Sequence, residues 1–264
     1  MKEDLMNKQG GGNHKAPKQK NVTQKFPSIC VDNFFENPDS IVRYAEKLKK
    51  HPNKDGRWHG KRSELLWKID DELNHAMILK IMSCFYDLTY QNVSWEISDL
   101  YFHEHPPLSK DYQNKGWIHA DNIPSRPIEV AGVIYLTKGI NPNTGTSLFN
   151  IKENEVAEEK QLFDREYAKH QMYKKDEIVN EAYYKTEIEK NEARFTETVT
   201  FANIYNRMIL YDTNVYHRAN SYYDKTKTRL TLVFFIGGLD VGKFPLARIQ
   251  AGNANDFINH RVTS

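Results

Sequence analysis

Only two cysteines, Cys30 and Cys84, occur in 264 residues. That is too few for a disulfide framework, and a reducing, cytoplasmic setting is the expectation. No run of 18 apolar residues exists, so no membrane-spanning helix is expected. Residues 1–20 lack an apolar stretch and do not read as a signal peptide. A basic excess is also missing: 37 lysines and arginines face 35 acids, a net charge of +2. Dedicated nucleic-acid binders carry such an excess, so no nucleic-acid partner is indicated. No internal repeat is visible. Aromatic residues are not scarce. At 12% of a chain that is 39% hydrophobic, they supply enough apolar surface for one large domain with a real core.

Residues 1–25 read as a disordered tail, with Gly10-Gly11-Gly12, several lysines and little that packs. A single domain is expected over 26–264. Helical signals fill 39–86. Asp39 or Ser40 can cap a helix that carries Ile41, Tyr44, Ala45 and Leu48 on one stripe, and His51-Pro52 stops it. A second helix over 70–86 spaces Leu73, Met77, Ile78, Ile81 and Met82 at helical intervals. From residue 93 the texture is that of strands: VSWEISDLYFHEH, with Trp95, Ile97, Tyr101 and His103 on one face, then IEVAGVIYLT, GTSLFN, FTETVTFANIYNRMILYDT and RLTLVFFIGGL. Residues 151–194 interrupt them. Of these 44, 21 are charged and none is Gly or Pro, the pattern of one or two surface helices inserted between strands. The pattern predicts a mainly β double sheet with flanking helices, for which a jelly roll is one solution and other β-sandwiches are equally compatible.

The chemistry-bearing segment is Trp117-Ile118-His119-Ala120-Asp121. In a strand, residues two apart share a face, so His119 and Asp121 present an imidazole and a carboxylate side by side. An H-x-D triplet alone is weak, and a hydrogen-bonded surface pair is its bland reading. His217 follows 98 residues later, and Arg229 begins an otherwise apolar strand that also carries Thr231 on the same face. A buried arginine needs an anionic partner or a carboxylate ligand for its fork. The alternatives for Arg229 are a surface position or an ion pair with Glu129 or Asp240. His103 and His105 form an H-x-H pair without the downstream glutamate a cupin would supply, since Ser109 stands there. They are expected to line a pocket mouth or lie on the surface. Tyr101 shares their face, and Trp95, Trp117 and Arg207 read as structural.

Taken together, His-x-Asp, a long interval, His, about ten residues, Arg and an apolar strand resembles the Fe(II)/2-oxoglutarate dioxygenases, most closely the prolyl-hydroxylase-like branch. The resemblance covers roughly residues 93–238 through GWIHAD, VAGVIYLT, GTSLF, NRMILYDTNVYH and RLTLVFF. It implies a double-stranded β-helix (jelly roll) with flanking N-terminal helices and a helical insert. It implies Fe(II) on His119, Asp121 and His217, and 2-oxoglutarate held by Arg229, with Tyr135 as second donor and Thr231 on the face of Arg229. Tyr101, from its strand face alone, reads as a core aromatic or a further contact to the cosubstrate. Dioxygen and an unidentified substrate, a protein or peptide side chain or a small metabolite, are the implied partners. Asp121 fills the position that radical halogenases of this fold leave for halide, so hydroxylation is the implied reaction.

Two other readings stay open. One is a jelly-roll binding or structural module without turnover, and the other a cupin-type metal enzyme using His103 and His105. The insert is expected to shape substrate access or mediate a homodimer, with Leu162, Phe163, Tyr167, Met172, Val179, Tyr183 and Ile188 packing against the barrel or a second subunit.

Overall fold

The computed structural model describes residues 26–52, 58–106, 116–121, 127–152, 181–221, 227–241 and 245–246. The tail over 1–25, the larger part of the charged insert and the segment 222–226 between His217 and Arg229 lie outside them. Among the described residues the chain is mainly β, in two antiparallel sheets with a few helices.

In chain order the elements are β1 (Ile29–Val31), α1 (Pro38–Lys47), β2 (Lys50–Pro52), β3 (Lys61–Ser63), α2 (Leu66–Ile69), α3 (Asp71–Met82), β4 (Ile97–His105) and β5 (Ile128–Tyr135). They continue with β6 (Thr146–Ile151), α4 (Glu181–Ala193), β7 (Phe195–Phe201), β8 (Met208–Asp212), β9 (Tyr216–Ala219) and β10 (Arg229–Gly237). The larger sheet runs β1-β8-β5-β10-β4-β3-β2, the smaller one β7-β6-β9.

The period of two sorts the larger sheet's side chains between two different environments. Leu100, Phe102, Val130, Ile134, Met208, Leu210, Leu232, Phe234 and Ile236 face one way, into a core shared with Phe26, Phe34, Ala45, Met77, Ile78, Ile81, Met82, Phe85 and Tyr86. That core carries the helices. Ala131, Tyr135, Ile209 and Tyr211 face the other way and meet Leu148 of β6. Arg229, Val233 and Phe235 of β10 and Tyr101, His103 and His105 of β4 share that second face, over a cavity.

Local details correct the sequence reading. Asn37, not Asp39 or Ser40, caps α1: its side chain accepts from the Ser40 amide at 3.2 Å. Asp39 instead pairs with Lys138 at 2.7 Å and accepts from Tyr205. The expected helix over 70–86 is shorter. Asp70 caps α3 by accepting from the Leu73 amide at 3.0 Å, and the helix ends at Met82. Trp95 lies outside β4 and packs on the helix-side core with its ring 5.0 Å from His75, not on the face of Tyr101 and His103. Of the charged insert, 181–193 is helix as expected, with Ile188 buried. Leu162, Phe163, Tyr167, Met172 and Val179 fall outside the described residues.

Candidate metal centre

Residues 116–121 are not a long strand but run alongside β9 by isolated pairing. The His119 amide donates to the His217 carbonyl at 3.1 Å, and the His217 amide returns to His119 at 2.8 Å. The Gly116 amide donates to Ala219 at 2.9 Å and the Asp121 amide to Thr213 at 3.0 Å. The approach at Gly116 is close: a β-carbon there would stand 2.8 Å from the Ala219 carbonyl oxygen, so the pairing excludes a side chain. Alternation then turns Ile118 outward, onto Phe149 and Phe195, and His119 and Asp121 inward.

The three inward side chains converge. Nε2 of His119 is 3.5 Å from Asp121 Oδ1, and Nε2 of His217 is 3.2 Å from Asp121 Oδ2. One ligand atom from each residue lies within 4.8 Å of the others, and no other group of three histidine, cysteine or acidic side chains does so among the described residues. Each imidazole has its Nδ1 on a backbone carbonyl two residues earlier: His119 on Trp117 at 2.7 Å, His217 on Val215 at 3.0 Å. A carbonyl only accepts, so both Nδ1 atoms donate and both Nε2 atoms are turned toward the carboxylate. Two imidazole Nε2 atoms and one carboxylate oxygen on a shared face suit a divalent transition metal and leave its other side open.

Residues 153–180 are not described, but α4 at the insert's end reaches this centre. The Asn191 side chain grips Ile118 from both sides, accepting from its amide at 2.9 Å and donating to its carbonyl at 3.1 Å. The next residue, Glu192, takes Arg218 at 2.5 Å. One helix end thus holds the neighbours of His119 and of His217.

Arg229 is buried, lines the same cavity, and donates from Nη1 to the Thr144 carbonyl at 3.0 Å. Glu129 accepts from the Leu239 amide, and the Asp240 backbone bridges to Ser94. Tyr135 is fully buried, and its hydroxyl donates to Thr146 Oγ1 at 2.9 Å. Thr146, not Tyr135, lines the cavity. Thr231 is buried with its hydroxyl 3.4 Å from the His103 carbonyl and does not line the cavity. Tyr101 does.

With this geometry in view, the comparisons with known proteins are these. Residues 14–236 match the model of a family described as "Family of unknown function (DUF6445)". The chain belongs to that family. No curated protein matches it. Solved structures similar to this DUF6445 member include a prolyl hydroxylase from Trichoplax adhaerens in complex with a hypoxia inducible factor peptide fragment. It is 13% identical at a TM-score of 0.46, over 81% of this chain and 84% of that one. HygX from Streptomyces hygroscopicus with nickel and 2-oxoglutarate bound is 12% identical at 0.48, over 80% and 82%. A Pseudomonas putida prolyl-4-hydroxylase is 11% identical at 0.38, over 80% and 91%.

The cavity, about 330 Å3, also takes in Trp117, which the sequence reads as structural, and three residues left without a role: Trp58, His59 and Arg62. The crowding of Trp58, His59 and Arg62 into GRWHGKRS was the available signal. His103 and His105 line this cavity and are not on the surface. Both are buried, with ring centres 3.5 Å apart. Burial holds both well below the usual histidine range, helped at His103 by the Arg62 charge and at His105 by His103 and Arg229, so both rings stay neutral. His103 Nε2 meets the His59 carbonyl at 2.7 Å. Burial, with the nearby Asp121 charge, pushes the Tyr211 hydroxyl well above its ordinary range, and its ring lies 4.4 Å from His217. A separate groove of about 470 Å3 on the helix side, lined by Asp39, Arg43, Glu46 and Lys138 among others, lies away from these residues. No helix among the described residues is long and apolar enough to cross a membrane.

Proposed function

We propose that the chain is a non-haem Fe(II)- and 2-oxoglutarate-dependent dioxygenase, a hydroxylase on a double-stranded β-helix, with 26–264 as one domain. The observation that carries the reading is the convergence of two Nε2 atoms and one carboxylate on a cavity that also holds a buried arginine. His119, Asp121 and His217 would hold Fe(II). When bound, the metal supplies activation of dioxygen for oxidation of substrate and cosubstrate.

The chain's own part follows from the geometry. The Trp117 and Val215 carbonyls keep both imidazoles in the ligating tautomer. Arg229 takes the distal carboxylate of 2-oxoglutarate through its fork. The Tyr135 hydroxyl donates to Thr146 Oγ1, which leaves the Thr146 hydroxyl proton to turn toward the cosubstrate. Tyr135 then acts one residue behind the contact, and Thr231 supports β4 rather than the ligand.

The cupin-type alternative is disfavoured by the His103 ring, whose Nε2 is engaged by the His59 carbonyl. A silent binding module remains the rival, and turnover separates the two. Purified protein with Fe(II), 2-oxoglutarate and dioxygen should form succinate. His119→Ala, Asp121→Ala and His217→Ala should each remain folded and lose both bound metal and succinate formation. Retention of one tightly bound iron by His119→Ala would place the metal elsewhere and end this reading.

A further inference from the structure

The cavity holds a hydroxyl that the chemistry above does not use. Tyr211 of β8 is 4% exposed and lines the cavity, its ring 4.4 Å from the His217 ring and tilted 39° to it. No group of the chain gives its Oη a hydrogen bond or takes one from it. Nor is that atom sealed off by its neighbours, so it opens on the cavity. Tyr135 on the neighbouring strand differs, because its hydroxyl is committed to Thr146. A buried hydroxyl without a partner is costly, and one kept in a cavity calls for a partner from outside the chain.

Strand register puts this hydroxyl at the metal end. Tyr211 stands opposite Ala131 of β5, and Ala131 opposite Phe235 of β10, six residues beyond Arg229. Six residues along a strand span about 20 Å, so the backbones of Tyr211 and Arg229 belong to opposite ends of the cavity. Between these two rows the cross-strand pair Val133 and Val233 lines it. Polar groups at both ends and an apolar stretch between them match a short dicarboxylate with its methylenes on the valines. At the Tyr211 end, Asp121 is the charge that acts most strongly on the phenol, which sets the hydroxyl beside the triad. A neutral phenol donates to an anion. His103 cannot take that part: its Nε2 gives its hydrogen to the His59 carbonyl, so Nδ1 of the neutral ring only accepts.

We propose that the Tyr211 hydroxyl binds the cosubstrate at its metal end, donating to the carboxylate beside the keto group, while Arg229 takes the distal one. This assignment rests on the oxygenase reading, and the test keeps the two apart. Protein loaded with Zn(II) is titrated with 2-oxoglutarate and with pyruvate, which keeps the keto acid and lacks the distal carboxylate. Calorimetry follows the binding. Tyr211→Phe keeps the ring on His217 and removes only the donor. It should weaken both ligands about tenfold, as for a hydrogen bond to a charged group, with Zn(II) affinity by chelator competition within about twofold of wild type. Arg229→Gln should weaken 2-oxoglutarate by about ten- to a hundredfold and leave pyruvate within about twofold. In the double variant the two losses for 2-oxoglutarate should multiply, because the residues hold opposite ends.

Unchanged affinity for both acids in Tyr211→Phe overturns the proposal. So does a loss confined to 2-oxoglutarate, which would put the hydroxyl at the distal end. An equal loss for Zn(II) overturns it as well, since Tyr211 would then act by packing on His217. A wild type that binds 2-oxoglutarate no more tightly than pyruvate would instead sink the oxygenase reading, and the effect of Tyr211→Phe on pyruvate is read apart from that result.

Discussion

Arg229 sits at the start of an apolar strand, where an unmatched charge would cost several kcal/mol. In the proposed site its cost is offset by the cosubstrate carboxylate. Arg229→Ala should therefore weaken 2-oxoglutarate binding by about ten- to a hundredfold, the worth of a charge-assisted contact, while metal affinity stays within about twofold. Arg229→Lys should recover part of the loss, because lysine offers no planar fork. Titration of each variant with 2-oxoglutarate decides it, and equal affinity in Arg229→Ala and wild type removes the role. Tyr135→Phe should weaken binding by less, and Tyr135→Phe with Thr146→Val should be non-additive, because the tyrosine acts through the threonine. At this scale the triad was legible because strand alternation and order along the chain carry it: His119 and Asp121 are two apart, and His217 precedes an arginine-led strand. The places of the Tyr135 and Thr231 hydroxyls, both off the cavity wall, were not. Both point to the correct face, but which hydroxyl reaches the cavity depends on the lateral offset of β6, which no single strand encodes. Trp58 and Arg62 were missed because nothing in β3, three residues long, announces that it pairs with β4.

The described end of the charged insert, Glu181–Ala193, was legible as helix but not as part of the site. Its composition points to solvent, and half its residues being charged says nothing of the one amide that matters. Asn191 is 5% exposed and satisfies both backbone groups of Ile118, which cannot pair within a sheet at that point. Asn191→Ala would leave both groups short of a partner and let the His119 segment shift. Metal affinity should fall by about ten- to a hundredfold, as for other groups that orient ligands from behind. Far-ultraviolet circular dichroism should stay close to wild type. Replacement of the whole span 152–193 by a Gly/Ser linker should therefore harm the metal centre, contrary to the expectation that the insert serves only access or dimerisation. Replacement of 153–180 alone, which keeps Asn191 and Glu192, should leave metal affinity intact. Competition with a chromophoric chelator measures both. Unchanged affinity in Asn191→Ala would reduce that contact to packing.

On the scale of the whole molecule, the larger sheet separates two kinds of interior. One face meets helices in an apolar core, and the other closes with the smaller sheet over a polar cavity, so His103, His105, His217 and Arg229 are buried by the same packing that holds the sheets together. The two neutral histidines make that packing sensitive to acid. In the unfolded chain His103 and His105 would titrate near the ordinary value of about 6.5. In the folded protein both lie well below it, driven first by burial. As pH falls through 6.5 the unfolded state takes up protons that the folded state refuses, so stability is full above this pH and declines below it. The limiting slope is about 1.4 kcal/mol per pH unit for each histidine, persisting until the folded rings protonate. Denaturant midpoints measured between pH 8 and pH 5 should fall steeply in the wild type. They should fall less in His103→Asn and least in His103→Asn with His105→Asn, even where those variants start from a lower plateau, because the slope reads proton uptake and not packing. A wild-type profile that is flat from pH 7 to pH 5, or equally steep in the double variant, would show that these two rings are not held neutral by the fold.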